Sequence, residues 1–372
     1  MSTPAADRAT RLLGRSFVLG SLRTRNRIVM APMTRQKSPH GIPGPDVAAY
    51  YARRAAGGAG LIITEGTYID RAAAPAYADV PHFYGADALA GWAEVVAAVH
   101  AAGGVIAPQL WHTGMQRRPG TAPLGVPAEG PSGIDLNGNR AGKAMSQNDI
   151  DAVIAAFADG AAAARGLGFD AVEIHGAHGY LIDDFLWEHT NRRTDRYGGD
   201  PASRASFAAE TVAAVRAAVG PDFPISFRLS QWKEEHYDAR LADTPDELER
   251  LLTPMANAGV DIFHASTRRY WTPEFAGSDL NLAGWTKKLT GRPAITVGSV
   301  GLDSVFRDND GFNARAEATD IDQLLDRLEH DEFDLVAVGR AFLADPQWPR
   351  KALSGHLSDA TPFDVSVLQT LH

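Results

Sequence analysis

His175 and His178 stand three residues apart and are followed by Tyr180, a grouping able to hold a ligand oxygen and to supply a proton. Imidazole N–H groups stabilise an oxygen that gains negative charge, and a tyrosine hydroxyl can act as a general acid. The same spacing admits two other readings. One is a metal pair completed by Glu65, Asp261 or His264, although a metal site needs a third ligand and supporting partners. The other is two capping or core histidines. A second candidate set lies late in the chain, where Gly298-Ser299 and Gly339-Arg340 each end an aliphatic run. Glycine lets backbone N–H groups approach an anion, and an arginine adds a bidentate contact, so these two turns read as a phosphate cradle. A C-capping glycine beside a surface arginine is the plainer account of a Gly-Arg pair alone.

These residues need a frame that brings them together, and the pattern of apolar runs supplies one. Eight short β-branched and aliphatic runs recur: Arg27–Ala31, Leu61–Glu65, Val105–Leu110, Ala171–His175, Pro224–Leu229, Val260–His264, Pro293–Val297 and Asp334–Val338. They read as strands buried on both faces. Helix starts lie between them: Ser146 with Asp149, Asp200 before Pro201, and Thr244-Pro245-Asp246-Glu247, which combines an N-cap, a proline at the first helical position and a capping-box glutamate. Eight strands each followed by a helix predict an α/β fold, the (β/α)8 TIM barrel. A doubly wound open sheet fits less well, because the first run continues into Pro32-Met33-Thr34 rather than a Gly-x-Gly-x-x-Gly turn. Ser16–Arg25 reads as a hairpin closing the barrel floor. The connections 113–144, 231–243, 266–285 and 302–320 read as extended loops and lids. Residues 1–12 are expected to be a flexible segment and 13–372 a single barrel domain.

In such a barrel the site lies at the carboxyl ends of the strands. The residues there are Pro32-Met33-Thr34, Glu65-Gly66, Gln109, His175 with His178 and Tyr180, Arg228, His264, Gly298-Ser299 and Gly339-Arg340. Alternation along a strand turns Glu173 and His175 inward on the fourth strand, and Ser226 and Arg228 inward on the fifth. A carboxylate and a guanidinium inside a barrel need partners. Glu173 and Arg228 are therefore expected to interact across adjacent strands, with Arg228 also facing a ligand.

Composition limits the alternatives. The 372 residues are 45% hydrophobic and 22% charged, enough for a substantial core. A formal charge of −9 offers no basic footprint for nucleic acid. The absence of cysteine rules out disulfides, thiol catalysis and cysteine-held zinc or iron–sulfur centres. No run of 18 apolar residues and no signal core occur, so no membrane association and a cytoplasmic location are expected. A monomer or homodimer is expected.

Several segments taken in order resemble the Old Yellow Enzyme family of flavin-dependent ene-reductases. They are Met30-Ala31-Pro32-Met33-Thr34, the stretch from Gly60 to Gly66, Gln109-Leu110-Trp111-His112, Glu173 to Leu181, Asn191 to Gly199, Phe227-Arg228-Leu229-Ser230 and Val338-Gly339-Arg340. The resemblance spans nearly the whole chain and is most specific between His175 and Gly199. It implies FMN as cofactor, with NADPH or NADH as hydride donor, and reduction of the C=C bond of α,β-unsaturated carbonyl compounds. By the same resemblance, Ala31, Pro32 and Met33 line the flavin, Thr34 bonds the isoalloxazine edge, Gly66 and Gln109 contact the ring, and Arg228 lies beside N1 and the C2 carbonyl. Gly298, Ser299, Gly339 and Arg340 would cradle the phosphate, His175 and His178 would hold the substrate carbonyl oxygen, and Tyr180 would be the proton donor.

This chain also departs from parts of the family. Thr34 stands where one branch has cysteine, Gln36 where some relatives have an aromatic contact, and 302–320 is a long excursion beside the expected phosphate site. Arg268, Arg269, Tyr270 and Trp271 either cover the pocket or form an ordinary solvated loop. A Schiff-base aldolase is disfavoured because none of the eight runs contains lysine. The remaining alternatives are a metal-dependent hydrolase on the same barrel and a non-catalytic flavin-binding protein.

Overall fold

The structure is a computed structural model that describes residues 4–308 and 311–372. Among these residues, eight parallel strands close into a barrel: β1 (Ile28–Met30), β2 (Leu61–Tyr68), β3 (Ile106–Trp111), β4 (Val172–His175), β5 (Ile225–Ser230), β6 (Ile262–Ser266), β7 (Ala294–Val297) and β8 (Leu335–Val338). Neighbours in sequence are neighbours in the barrel, and β8 pairs with β1 to close it. A helix follows each strand, the longest being Gln147–Gly166 after β3. Parallel strands joined by helices must bury both faces, which is why the runs are apolar throughout.

Alternation sorts those residues into two cores. Ile28, Met30, Ile62, Val172, Ile174, Phe227 and Leu229 pack outward against the helices. Val29, Ala31, Leu61, Ile63, Ala107, Ala171, Ile295, Val297, Leu335 and Ala337 fill the barrel interior. The expected hairpin is present as Phe17–Leu19 paired antiparallel with Leu22–Thr24, and Phe17 and Leu22 join the interior cluster from below. Apolar side chains thus plug the floor, leaving the carboxyl end for polar groups.

The helix starts also follow the local chemistry. Ser146 and Asp149 form a reciprocal capping box, and the Asp200 side chain accepts from the N–H groups of Ala202 and Ser203. Thr244 caps its helix by accepting from Glu247 N–H, while the Glu247 carboxylate accepts from Asp243 N–H at 2.8 Å, one residue before the expected partner.

Within the segment 1–12, expected to be flexible, the structure forms a helix from Pro4 onward; residues 1–3 lie outside the described residues. Pro4–Leu12 is a helix packed on Trp348–Ser354 and Asp322–Glu329. Ala9 and Leu12 are buried, and Arg8 donates to Glu329 at 2.7 Å. Nine residues are marginal as an isolated helix; docking onto the last two barrel helices stabilises this one, and a local reading of the sequence cannot anticipate that. In the 302–320 excursion, Arg307–Asp308 pairs with Gly311–Phe312, and Arg315–Ala316 pairs with Phe363–Asp364 near the C-terminus. No helix among the described residues is long and apolar enough to cross a membrane.

Candidate active site

A cavity of about 560 Å³ opens at the carboxyl ends of the strands. Ala31, Pro32, Met33 and Thr34 after β1, Arg228 on β5, Gly298 and Ser299 after β7, and Gly339 and Arg340 after β8 all line it, together with His178 and Tyr180. Gly66, Gln109 and His175 stand behind this lining. Gly66 faces Gln109 across the β2–β3 register. A Cβ built on Gly66 would lie 2.6 Å from the Trp111 ring and 3.3 Å from Gln109 Oε1, so glycine is needed there for Trp111 to close against the strand.

Beneath the cavity, Glu173 organises the barrel interior. Its carboxylate accepts from Gln109 Nε2 and Ser226 Oγ and pairs with His264 Nδ1, each at 2.8 Å. Burial opposes ionisation, but His264, the nearby charge of Arg228 and the Ser226 hydrogen bond hold the carboxyl down to about 2. Glu173 and Arg228, expected to interact across adjacent strands, do so through their charges, with no hydrogen bond or ion pair between them among the described residues. The β4–β5 register sets Glu173 against Ser226 and His175 against Arg228, so the guanidinium sits one inward-facing level above the carboxylate and couples to it through its field. Arg228 Nη2 donates weakly to Ser266 Oγ at 3.4 Å, and Arg228 Nε is buried without a hydrogen-bond partner among the described residues. Burial lowers this guanidinium to about 10, which leaves it cationic at neutral pH.

His178 and Tyr180 form one wall of the cavity, and His175 packs against both. His175 Nδ1 accepts the Ala177 N–H at 3.3 Å, so in the neutral ring the proton sits on Nε2. Burial first, and then the charge of Arg228, push both His175 and His178 well below the usual imidazole value. Both are neutral donors. His178 has φ of +67°, a left-handed conformation that costs a non-glycine residue about 1–3 kcal/mol. Surrounding contacts hold it there: its N–H donates to Ser230 Oγ at 2.9 Å, its carbonyl accepts Glu234 N–H at 3.1 Å, and its ring stacks on Trp232 at 4.3 Å. His178 Nε2 lies 2.8 Å from Ser266 Oγ. The Tyr180 ring packs edge-on against Trp111 at 4.8 Å and against His175 at 5.0 Å.

The other end of the cavity is shaped by the tips of β7 and β8. Gly298 has φ of +153°, and a Cβ there would lie 2.5 Å from Thr267 Oγ1. Ser299 follows with φ of +50°, and its hydroxyl donates to the carbonyl of Arg268, leaving its backbone N–H as the group able to meet an anion. Arg340 opens the next helical turn. It donates to Ser304 O and lies over the Phe306 and Phe363 rings, while Nη1 is buried without a partner among the described residues. The cavity therefore holds two guanidinium groups with unspent donors, one deep and one at the β7–β8 tips. A planar ring with polar carbonyls joined to a phosphate matches that spacing of demands, so the residues present fit FMN.

Other expectations separate. Glu65 takes no part in a metal site: it accepts the N–H groups of Arg35 at 2.8 Å and Gln36 at 3.2 Å, pinning the loop after Thr34. Asp261 pairs with Arg216, and His264 serves Glu173. No group of three or more potential metal ligands occurs among the described residues. Arg268, Gln36 and the excursion residues Leu302, Val305, Phe306 and Arg307 line the cavity, whereas Arg269 is exposed and Tyr270 is buried. Sequence reasoning missed Ser266, Trp232 and Glu234. Ser266 was reachable, since it lies one inward-facing step beyond His264. Trp232 and Glu234 belong to an aperiodic loop that gives no such signal.

The chain matches the model of the NADH:flavin oxidoreductase / NADH oxidase family over residues 15–359. It is 34% identical over 351 residues to an NADH oxidase of Thermoanaerobacter brockii, covering 92% of this chain and 50% of that protein; the chain thus spans about half the length of that relative. It is 35% identical to a chanoclavine-I aldehyde reductase of Penicillium roqueforti, covering 91% of this chain and 88% of the relative. The solved structure of morphinone reductase in complex with tetrahydroNAD superposes with a TM-score of 0.81 at 30% identity, covering 96% of this chain and 93% of that one.

Proposed function

Because this chain belongs to the NADH:flavin oxidoreductase / NADH oxidase family and is an FMN-dependent NAD(P)H oxidoreductase of the Old Yellow Enzyme type, we propose that it reduces the C=C bond of α,β-unsaturated carbonyl compounds. The observation that carries this reading is that a neutral His178 and a protonated Tyr180, with a neutral His175 packed against both, stand at a cavity fitted to FMN. Bound FMN would supply hydride chemistry with NADPH or NADH as the donor; the tetrahydroNAD bound to morphinone reductase supports a nicotinamide donor.

The roles of the chain follow from its geometry. Arg228 and Gln109 would hold the pyrimidine end of FMN. Glu173 occupies Gln109 Nε2, which leaves the amide oxygen to accept from the ring. Gly298, Ser299, Gly339 and Arg340 would hold the phosphate. His175 Nε2–H and the His178 ring would take the substrate carbonyl oxygen. Their neutrality matters: each donates to an oxygen gaining negative charge without giving up a proton outright. Tyr180 retains its proton, since burial raises its hydroxyl well above 10, and it would deliver that proton to the α-carbon. The lining combines apolar and polar groups, which suits small organic substrates.

The test is direct. The purified protein should be yellow, release FMN on denaturation, bleach with NADPH or NADH, and recover its colour when an enone is added anaerobically. Replacement of either histidine by alanine should weaken binding of a phenolate by about 1.5–3 kcal/mol, the range for hydrogen bonds to charged groups, with FMN content near normal. Flavin that neither nicotinamide reduces would instead indicate a non-catalytic flavin-binding protein.

A further inference from the structure

The Tyr180 hydroxyl donates its single hydrogen to Glu234 Oε2 at 2.9 Å. That proton therefore points at a carboxylate, and not at the position a substrate would take. Glu234 itself lines the cavity and is half-buried, so water at the mouth reaches it. Its position is built with care. Lys233 is fully buried and its ammonium lies 3.0 Å from Asp183, Glu234 N–H donates to the His178 carbonyl, and Trp232 stacks on the His178 ring. Asp183 in turn accepts the Gly179 N–H. The turn bearing His178 and Tyr180 and the segment 232–234 are thus stitched into one unit, which sets the glutamate against the tyrosine.

We propose that Glu234 is a positioning residue that gates and refills the Tyr180 proton: ionised, it holds the proton away from substrate; protonated, it releases the proton and then replaces it. This rests on the reading of Tyr180 as proton donor. When the Glu234 carboxyl carries a proton, its O–H donates to the phenol oxygen, and the tyrosine hydrogen is free to turn into the cavity. Tyr180 then gives that proton to the α-carbon, the phenolate left behind takes the carboxyl proton of Glu234, and the carboxylate takes a proton from water at the mouth. No electrons move in these proton steps, the two electrons having arrived with the hydride. Balance requires only water as co-reactant.

Other titratable and charged groups surround the pair, and the Tyr77 hydroxyl is in hydrogen-bond contact with Tyr180. The Tyr180 hydroxyl feels Tyr77 and Tyr68 besides Glu234, and both of those hydroxyls are raised by burial. His175 and His178 are neutral, Arg228 is cationic near neutral pH, Lys233 is spent on Asp183, and Arg118 lies over the Tyr77 ring.

The experiment follows reoxidation of the reduced holoenzyme by cyclohexenone across pH, in the parent and in Y180F, E234Q and E234D. E234Q should change the parent's dependence of the rate on pH, and E234D, which keeps the carboxyl, should keep it. An ultraviolet difference titration, with Y180F as reference, should show Tyr180 ionising at lower pH in E234Q than in the parent. If E234Q keeps the parent's pH profile and tyrosine titration while Y180F is slow, the gating role of Glu234 is overturned and the role of Tyr180 stands. If Y180F reoxidises as fast as the parent at every pH, the assignment of Tyr180 itself fails.

Discussion

Glu65 on β2 and Glu173 on β4 are both buried carboxylates in neighbouring parts of one barrel, yet burial has opposite outcomes for them. Among the described residues, Glu65 accepts two backbone N–H groups, from Arg35 and Gln36, and burial pushes it up to about 7. Glu173 faces Gln109, Ser226 and His264 with Arg228 close by, and is held down to about 2. Desolvation alone does not decide the charge of a buried acid; the donors that surround it do. The difference also separates two tasks. Glu173 ties four strands together beneath the cofactor cavity, whereas Glu65 pins one loop at its edge.

The contrast can be broken most sharply at Glu173. Glu173→Ala leaves His264, Gln109 and Ser226 without their shared acceptor and should cost about 3–5 kcal/mol, as removal of one member of a buried charged network does. Urea denaturation measures this; a loss below about 1 kcal/mol would mean that Glu173 does not organise the interior.

The next largest effect lies in pH dependence. A carboxyl raised by folding contributes stability that is present below its unfolded value near 4.5 and is lost as pH rises through about 7. Glu65→Gln should therefore gain stability relative to the parent between pH 5 and 8, by up to about 3 kcal/mol. For Glu173 the sign reverses: its contribution is present above 4.5 and is lost as pH falls towards about 2. Parallel melting curves of parent and Glu65→Gln from pH 5 to 8 would refute the first half of this contrast.

Removing single donors grades the Glu173 network. Gln109→Ala leaves Oε1 without its donor and should cost about 2 kcal/mol, together with weaker FMN retention measured by ultrafiltration. Ser226→Ala should cost about 1 kcal/mol, because Oε2 keeps His264. Equal losses in both variants would show that the two oxygens are not independently served.

The strands were legible because parallel strands buried on both faces must be apolar runs, and each predicted run overlaps an observed strand. Inward and outward sides were equally legible: Glu173 with Ser226 and Arg228 inside, Phe227 and Leu229 outside. The missed features have one cause. The Glu173–Arg228 expectation placed both residues inside correctly but lacked the register, and a single inward step separates a salt bridge from a field effect. The Pro4–Leu12 helix is stabilised by Asp326, Glu329 and the helix Trp348–Ser354, more than three hundred residues away in sequence.

Local periodicity and capping chemistry by themselves determined the barrel, the helix starts and the strand tips around the cavity. They did so because a strand's alternation and a helix's first turn are set by neighbours a few residues apart. Tertiary structure alone decided which donor meets which acceptor: His264 with Glu173, Ser266 with His178, and Glu234 with Tyr180. Those pairings depend on strand register and on how the aperiodic segment 231–243 folds back over the rim, and no spacing along the chain encodes a contact across 54 or 91 residues.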